Sequence, residues 1–247
     1  PELKLLVDAV QSSKFITERK TDELIKKLES LASVNEARGL HGQVFVRGRI
    51  KTMNETIYYN VDAVNDGIVG NRAISFRYFE WTPARKKELR RGGALYTVSP
   101  LALSWDDENY YLVAYDGASG KCKHYRVDKM MKIEMLEEKR EGKEIIDQFD
   151  MAAYAKATFG MYQGNKEKVQ IQFPNRMCGV FIDRFGKDII FHPIDEEHSV
   201  FNVDVNVSPQ FFGWIFGLGK EVKVIGPESV VEQIRKTAEE FVKNYEK

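Results

Sequence analysis

Apolar positions recur at helical spacing near the start of the chain. Leu3, Leu6, Val7 and Val10 place one stripe on a first helix, which Ser12-Ser13 interrupts. Leu24, Ile25, Leu28 and Leu31 mark a second helix. Thr21 is its expected N-cap, with Asp22 and Glu23 suited to the positive end of the helix dipole. Val44-Phe45-Val46 reads as a short strand. Ile57, Val61, Val64 and Ile68 then give a third helical stripe, with Asn54 as its candidate cap. Helices with so little core of their own read as a connector or dimerisation element that packs on something else.

From residue 74 the period changes to two. Ile74, Phe76 and Tyr78 alternate with Ser75, Arg77 and Phe79, the pattern of a half-buried strand. The basic stretch Arg85-Lys86-Lys87, Arg90-Arg91 and the pair Gly92-Gly93 read as a turn. Leu95–Leu103 is extended but contains Pro100, which lacks a ladder donor and argues for an edge or a bend. Tyr110–Tyr115, Lys121–Val127 and Ile133–Leu136 complete five short strands separated by tight turns. Such a set predicts a small, strongly bent barrel.

The last third alternates. A short helix is expected near Met151–Ala157, then a strand at Val169, Ile171 and Phe173, a helix over Met177–Phe185, and a hairpin from Ile189–Phe191 and Val200–Val207. Ser208-Pro209 is an N-cap followed by proline at the first helical position, and Gly217 and Gly219 end that helix. Val222–Ile225 is a strand, and Pro227 opens a final helix with Val230, Ile234, Ala238, Phe241 and Tyr245 on one stripe. The order matches a split βαβ, ferredoxin-like sandwich.

Composition narrows the class. The 247 residues carry 37 basic and 37 acidic groups, and 43% are hydrophobic, which excludes a disordered or fibrous chain. Zero net charge hides a gradient. Residues 67–140 hold 14 basic against 10 acidic groups, and residues 141–247 hold 13 against 17. The longest nearly apolar run, Phe211–Leu218, is too short for the roughly 20 residues of a spanning helix, so no membrane partner is expected. With no secretory signal pattern and only Cys122 and Cys178, a cytoplasmic location is expected. The first residue is proline, which fits a piece of a longer protein.

Catalytic motifs are missing from the sequence. It contains no Cys-x-x-Cys, His-Glu-x-x-His, phosphate loop, dinucleotide glycine pattern or Gly-x-Ser-x-Gly elbow. His192 and His198, with Asp195, Glu196 and Glu197 between them, read as a polar turn before a metal cluster, and Cys178 as core packing. No enzyme, cofactor or metal is therefore expected. A hydrolase using His192, His198 or Cys178 is the distant alternative. The barrel region is richer. Trp105, Tyr110, Tyr111, Tyr115, Tyr96 and Tyr125 interleave with Lys121, Lys123, His124, Arg126 and Lys129. Rings stack on bases while Arg and Lys pair with phosphates. Such rings can equally be core and the charges its wet rim, and the pattern alone leaves both open.

The run Tyr96-Thr97-Val98-Ser99-Pro100-Leu101-Ala102-Leu103-Ser104-Trp105, then Asn109–Asp116, then His124-Tyr125-Arg126-Val127-Asp128-Lys129-Met130, resembles the WYL domain of bacterial transcriptional regulators. The namesake Trp-Tyr-Leu falls on Tyr110-Tyr111-Leu112, and the Phe-Arg-Leu-Asp-Arg motif on Tyr125–Lys129. Tyr96 stands where many members have arginine. Residues 1–66 resemble the connector that follows a DNA-binding domain. Residues 168–247 resemble the family's C-terminal extension, with Phe212-Gly213-Trp214 in its helix and Tyr245 near the end.

The resemblance implies an α+β protein: a helical connector over 1–66, a small Sm- or SH3-like β-barrel over 67–137, a linker over 138–167 and a ferredoxin-like α/β sandwich over 168–247. It implies a sensing module for an anionic effector, a nucleotide or single-stranded nucleic acid, in a regulator that dimerises. Such a regulator binds duplex DNA through an N-terminal winged helix-turn-helix that this chain lacks. The expected ligand-binding residues are Arg126 and Lys129 as cations, Tyr111 and Trp105 as stacking faces, and Ser99 and His124 as hydrogen-bonding groups, with Asp128 fixing Arg126 or a backbone turn. The alternative is a protein-interaction module without a small ligand.

Overall fold

The computed structural model describes residues 2–32, 51–52, 54–162 and 164–246. The chain divides into two units, Pro1–Asp147 and Gln148–Lys247.

The first unit opens with α1 (Glu2–Ser12) and α2 (Glu18–Glu29), followed after the undescribed stretch by α3 (Ile57–Val69). Helix α2 starts one turn earlier than expected. Thr17 has extended backbone and its hydroxyl accepts the Lys20 N–H at 3.3 Å, so it is the cap. Thr21 lies buried inside the helix and accepts from Lys51 Nζ at 2.9 Å. The strand expected at Val44–Val46 lies outside the described residues. Thr56, not Asn54, is the N-cap of α3. Asn54 forms a turn just before it, accepting from the Thr56 N–H at 3.0 Å and hydroxyl at 2.7 Å.

Six antiparallel strands follow: β1 (Arg72–Trp81), β2 (Lys87–Leu89), β3 (Tyr96–Asp106), β4 (Asn109–Asp116), β5 (Lys121–Arg126) and β6 (Met130–Lys139). Their order is β2-β1-β3-β4-β5, with β6 also on β1, and the sheet curls into a half-barrel. Strand β3 pairs with β1 through Val98 and with β4 from Ser99 onward, and a bulge follows Pro100. The proline thus sits where the strand changes partner and bends. The basic stretch is not all turn. Leu89 pairs with Phe79 in β2, and Lys87 lays its ammonium 4.6 Å from the Phe79 ring centre.

Inward-facing residues of the curled sheet make one core with α3: Val64, Ile74, Phe76, Leu112, Tyr125, Val127 and Met130. Phe76 and Tyr96 stack with centroids 5.4 Å apart. Gly67 allows the close crossing of α3 over β1, because a Cβ there would lie 2.6 Å from the Ile74 side chain. Phe15, between α1 and α2, docks this helical pair. Its ring centre lies 4.7 Å from Tyr110, 5.6 Å from Trp105 and 5.9 Å from Tyr58.

Helix α4 (Lys143–Gln148) spans the boundary. Helix α5 (Met151–Ala157) follows, capped by Asp150, whose carboxylate accepts the Ala152 and Ala153 N–H groups at 2.9 and 3.1 Å. The second unit then continues with β7 (Asn165–Pro174), α6 (Cys178–Phe185), β8 (His192–Pro193), β9 (His198–Val207), α7 (Pro209–Gly217), β10 (Lys223–Gly226) and α8 (Glu228–Lys243). Its antiparallel sheet has the order β10-β7-β9-β8. Strand β9 lies between β7 and β8, and pairs with β7 along all ten residues. Phe173, Phe181, Phe201 and Phe211 form the centre of its core. Ser208 caps α7 as its sequence predicts, accepting the Phe211 N–H at 3.3 Å. The strand expected at Ile189–Phe191 is displaced to a two-residue β8, because Ile189 and Phe191 are drawn onto the phenylalanine core. The stretch 138–167, expected as a linker, holds the end of β6, two helices and the start of β7. Among the described residues no helix is long and apolar enough to cross a membrane.

Candidate functional site

Strands β4 and β5 form a hairpin whose two faces differ. Tyr111 pairs with Arg126, Val113 with His124 and Tyr115 with Cys122 on the outer face. Leu112 pairs with Tyr125 and Ala114 with Lys123 on the inner face, toward the core. The chemistry of the site follows from that alternation.

Arg126 is half-buried at the open end of the outer face. Its Nε donates to Asp128 Oδ1 at 3.0 Å and its Nη2 to Asp128 Oδ2 at 2.9 Å. Nη2 also reaches Asn109 Oδ1 at 2.7 Å. Burial opposes the guanidinium's charge, but the bond and charge of Asp128 outweigh it and raise the pKa. The fork is held by three bonds, while Nη1 makes none among the described residues. Beside it the Tyr111 hydroxyl is pushed up, chiefly by burial, with Arg126 working the other way. The Arg126 backbone N–H donates to the Tyr78 hydroxyl at 3.1 Å. Val127–Lys129 then makes a single 3-10 turn. This turn is anchored from below: Asn60 Nδ2 bonds the Val127 and Met130 carbonyls, and Asn54 Nδ2 bonds the Asp128 carbonyl at 2.9 Å.

The expected residues are brought together only in part. Tyr111, Arg126 and Asp128 form one cluster, with Lys129 half-buried in the adjoining turn and His124 half-buried on the same face. Trp105 is not with them. Ser104 pairs with Tyr111 and Trp105 with Tyr110, so Trp105 belongs to the opposite face. There it packs against Tyr110 at 4.7 Å and Phe15, with half its surface exposed. Ser99 is buried, and its hydroxyl accepts the Glu141 N–H at 2.7 Å. Arg140 bonds the Pro100 carbonyl at 2.9 Å, and Gly142 lies against the Tyr115 ring, so residues 140–142 cover that end of the outer face. Asn109 was missed: it reads as a turn residue, and its signal is its position two residues before Tyr111, on the same face.

The His192–His198 segment is a closed turn. Asp195 Oδ1 accepts the Glu197 and His198 N–H groups at 2.8 and 2.7 Å, and these hold its carboxyl below the ordinary range. No group of three His, Cys, Asp or Glu among the described residues could hold a metal ion.

Residues 59–135 match the WYL domain, and residues 165–242 match the WCX domain. The two matches in that order support the class of WYL-domain regulators. Among solved structures, the chain is similar to "Proteasome accessory factor B/C (PafBC) of Arthrobacter aurescens", at 16% identity and TM-score 0.32 over 74% of this chain and 27% of that one. It is also similar to a CRISPR Cas-related protein, at 16% identity and TM-score 0.43 over 93% and 59% of the two chains. The chain thus spans only part of either protein's length. No curated protein matches it.

Proposed function

We propose that this chain is the effector-sensing and oligomerisation region of a transcriptional regulator. It takes an anionic ligand, a nucleotide or single-stranded nucleic acid, on the outer face of the β4–β5 hairpin. The half-barrel is read as Sm- or SH3-like and the second sheet as ferredoxin-like. The observation that carries the reading is Arg126, fixed by Asp128 and Asn109, with Nη1 unbonded among the described residues, beside the Tyr111 ring. A pre-oriented, partly desolvated guanidinium next to an aromatic face suits a phosphate joined to a base. Lys129 supplies a second cation. The WYL and WCX matches support the regulatory role.

The signal passes through the turn. A ligand phosphate that competes with Asp128 for Arg126 pulls on Val127–Lys129, which is tied to α3 and to residue 54. Only a ligand that prefers one of the two arrangements moves a DNA-binding module of the longer regulator, which works as a cytoplasmic homodimer. No catalytic step is assigned to the chain. Titration calorimetry with an oligothymidine of about eight nucleotides tests the site. Binding that weakens with salt and at least tenfold in Arg126→Ala is expected. Equal binding by the variant overturns the assignment.

A pure protein-interaction module is the second reading, favoured by Leu5 and Leu6, which are 69% and 50% exposed on α1. It predicts that dilution lowers the melting temperature while the oligonucleotide leaves it unchanged.

A further inference from the structure

A cavity opens on the other face of the same hairpin. Its volume is about 450 Å³, within the range of small-molecule sites. The inner-facing residues of β5, Lys123 and Tyr125, form one wall, and Tyr96 at the start of β3 forms the other. The turn Asp116–Ser119 closes one side. That wall is rigid: Asp116 is ion-paired with Lys123, accepts the Ala118 N–H at 3.1 Å through its side chain and the Gly120 N–H at 2.9 Å through its carbonyl.

The rim residue is Arg91. The loop Arg90–Gly93 runs left-handed, with Arg91 at φ 51°, Gly92 at 62° and Gly93 at 85°. An arginine is disfavoured in that conformation, yet here it turns the guanidinium back over the barrel mouth, 4.5 Å from the centre of the Tyr96 ring. Its neighbour Arg90 is paired with Glu80 at 3.1 Å. Arg91 has no carboxylate partner among the described residues. Lys123 is neutralised by Asp116, so the cavity carries one uncompensated positive charge over an aromatic floor.

We propose that this cavity is a second binding site, for a small ring-bearing organic anion such as an aryl phosphate or carboxylate. Arg91 holds the anionic group, and the ring packs on exposed Leu95 and the edges of Tyr96 and Tyr125. Alternate residues of β5 then serve two sites, Lys123 and Tyr125 inward, His124 and Arg126 outward. The proposal does not depend on the outer-face reading.

The probe is 1-naphthyl phosphate, followed by its own fluorescence, with 1-naphthol and inorganic phosphate as partial probes. Saturable binding at least tenfold tighter than either partial probe is expected, since both the charge and the ring contribute. Arg91→Ala weakens it tenfold or more, which is about 1.4 kcal/mol. Arg91→Lys keeps the charge but loses the planar stack, so it falls between. Arg91 is exposed, and an unchanged melting temperature shows that the variants fold. Arg126→Ala leaves binding within twofold. Binding that survives Arg91→Ala, or that is lost in Arg126→Ala instead, overturns the proposal, as does failure to saturate at any soluble concentration.

Discussion

Asn60, on α3, and Met130, at the start of β6, are joined by a hydrogen bond of 2.9 Å from the Asn60 side-chain amide to the Met130 carbonyl. The same amide nitrogen reaches the Val127 carbonyl at 3.1 Å. One buried side chain thus closes both ends of the turn that carries Asp128. In Asn60→Ala both carbonyls lose their donor in a site only 7% exposed. The expected loss is about 2–3 kcal/mol of stability, read as a lower denaturant midpoint at unchanged slope. Asn60→Asp has no donor to offer and should be at least as unstable. An alanine variant within about 0.5 kcal/mol of wild type would show that the turn holds itself.

Much of this architecture was legible because periodicity and caps are local. The alternation over Ile74–Phe79 and the Ser208-Pro209 start both reflect forces acting within a few residues. What the sequence concealed depends on register. Nothing in Trp105 and Tyr111 announces that they sit on opposite faces, since that is decided by where β3 and β4 pair after the bend at Pro100. Ser99 was likewise out of reach, because its burial is caused by residues 140–142, some forty positions away. Strand β2 looked like a turn because its lysine packs through its stem and charge on Phe79, and charge counts do not register that contact.

The Tyr78 hydroxyl sits against the Arg126 backbone and is pushed up to about 12, chiefly by burial. The folded state therefore keeps this proton when the unfolded state, near the ordinary value of 10, releases it. The contribution is fully present below pH 10 and is lost as pH rises toward about 12, by about 3 kcal/mol in all. Tyr78→Phe removes that alkaline limb and the bond to Arg126. Stability curves of the two proteins over this range should converge as pH rises. Parallel curves would mean that the hydroxyl titrates as in water.

Asp116 gives the opposite sign. The Lys123 ammonium holds its carboxyl below the usual value, so the folded state binds this proton less readily than the unfolded one. The stabilisation is present above about pH 4 and disappears as pH falls through the folded value. Asp116→Asn keeps the acceptor for the Ala118 N–H but loses the ion pair. Its expected cost at neutral pH is about 1 kcal/mol, shrinking on acidification. Acid titration of both proteins, followed by circular dichroism, checks this through the difference between their midpoints.

Phe15 is an apolar link from the α1–α2 pair to the half-barrel, touching Tyr58, Trp105 and Tyr110. The polar links around it are weaker: Lys14 pairs with Glu108 at 2.9 Å with both side chains partly exposed, and Arg19 with Glu55 at 3.0 Å near the surface. Exposed pairs of this kind contribute at most about 1 kcal/mol each, whereas truncating a packed phenylalanine costs about 3 kcal/mol or more when fully buried. Phe15 is only half-buried, so Phe15→Ala should cost about 2 kcal/mol. The loss should also be local, because the half-barrel core of Phe76, Leu112 and Met130 does not include Phe15. Hydrogen exchange should therefore speed up in α1 and α2 while the β4–β5 amides keep their protection. If the turn at Val127–Lys129 relays ligand binding to the connector, this variant should still bind the oligothymidine but no longer slow exchange in α2 when it does. Equal slowing in variant and wild type would mean that α2 responds without the Phe15 contact.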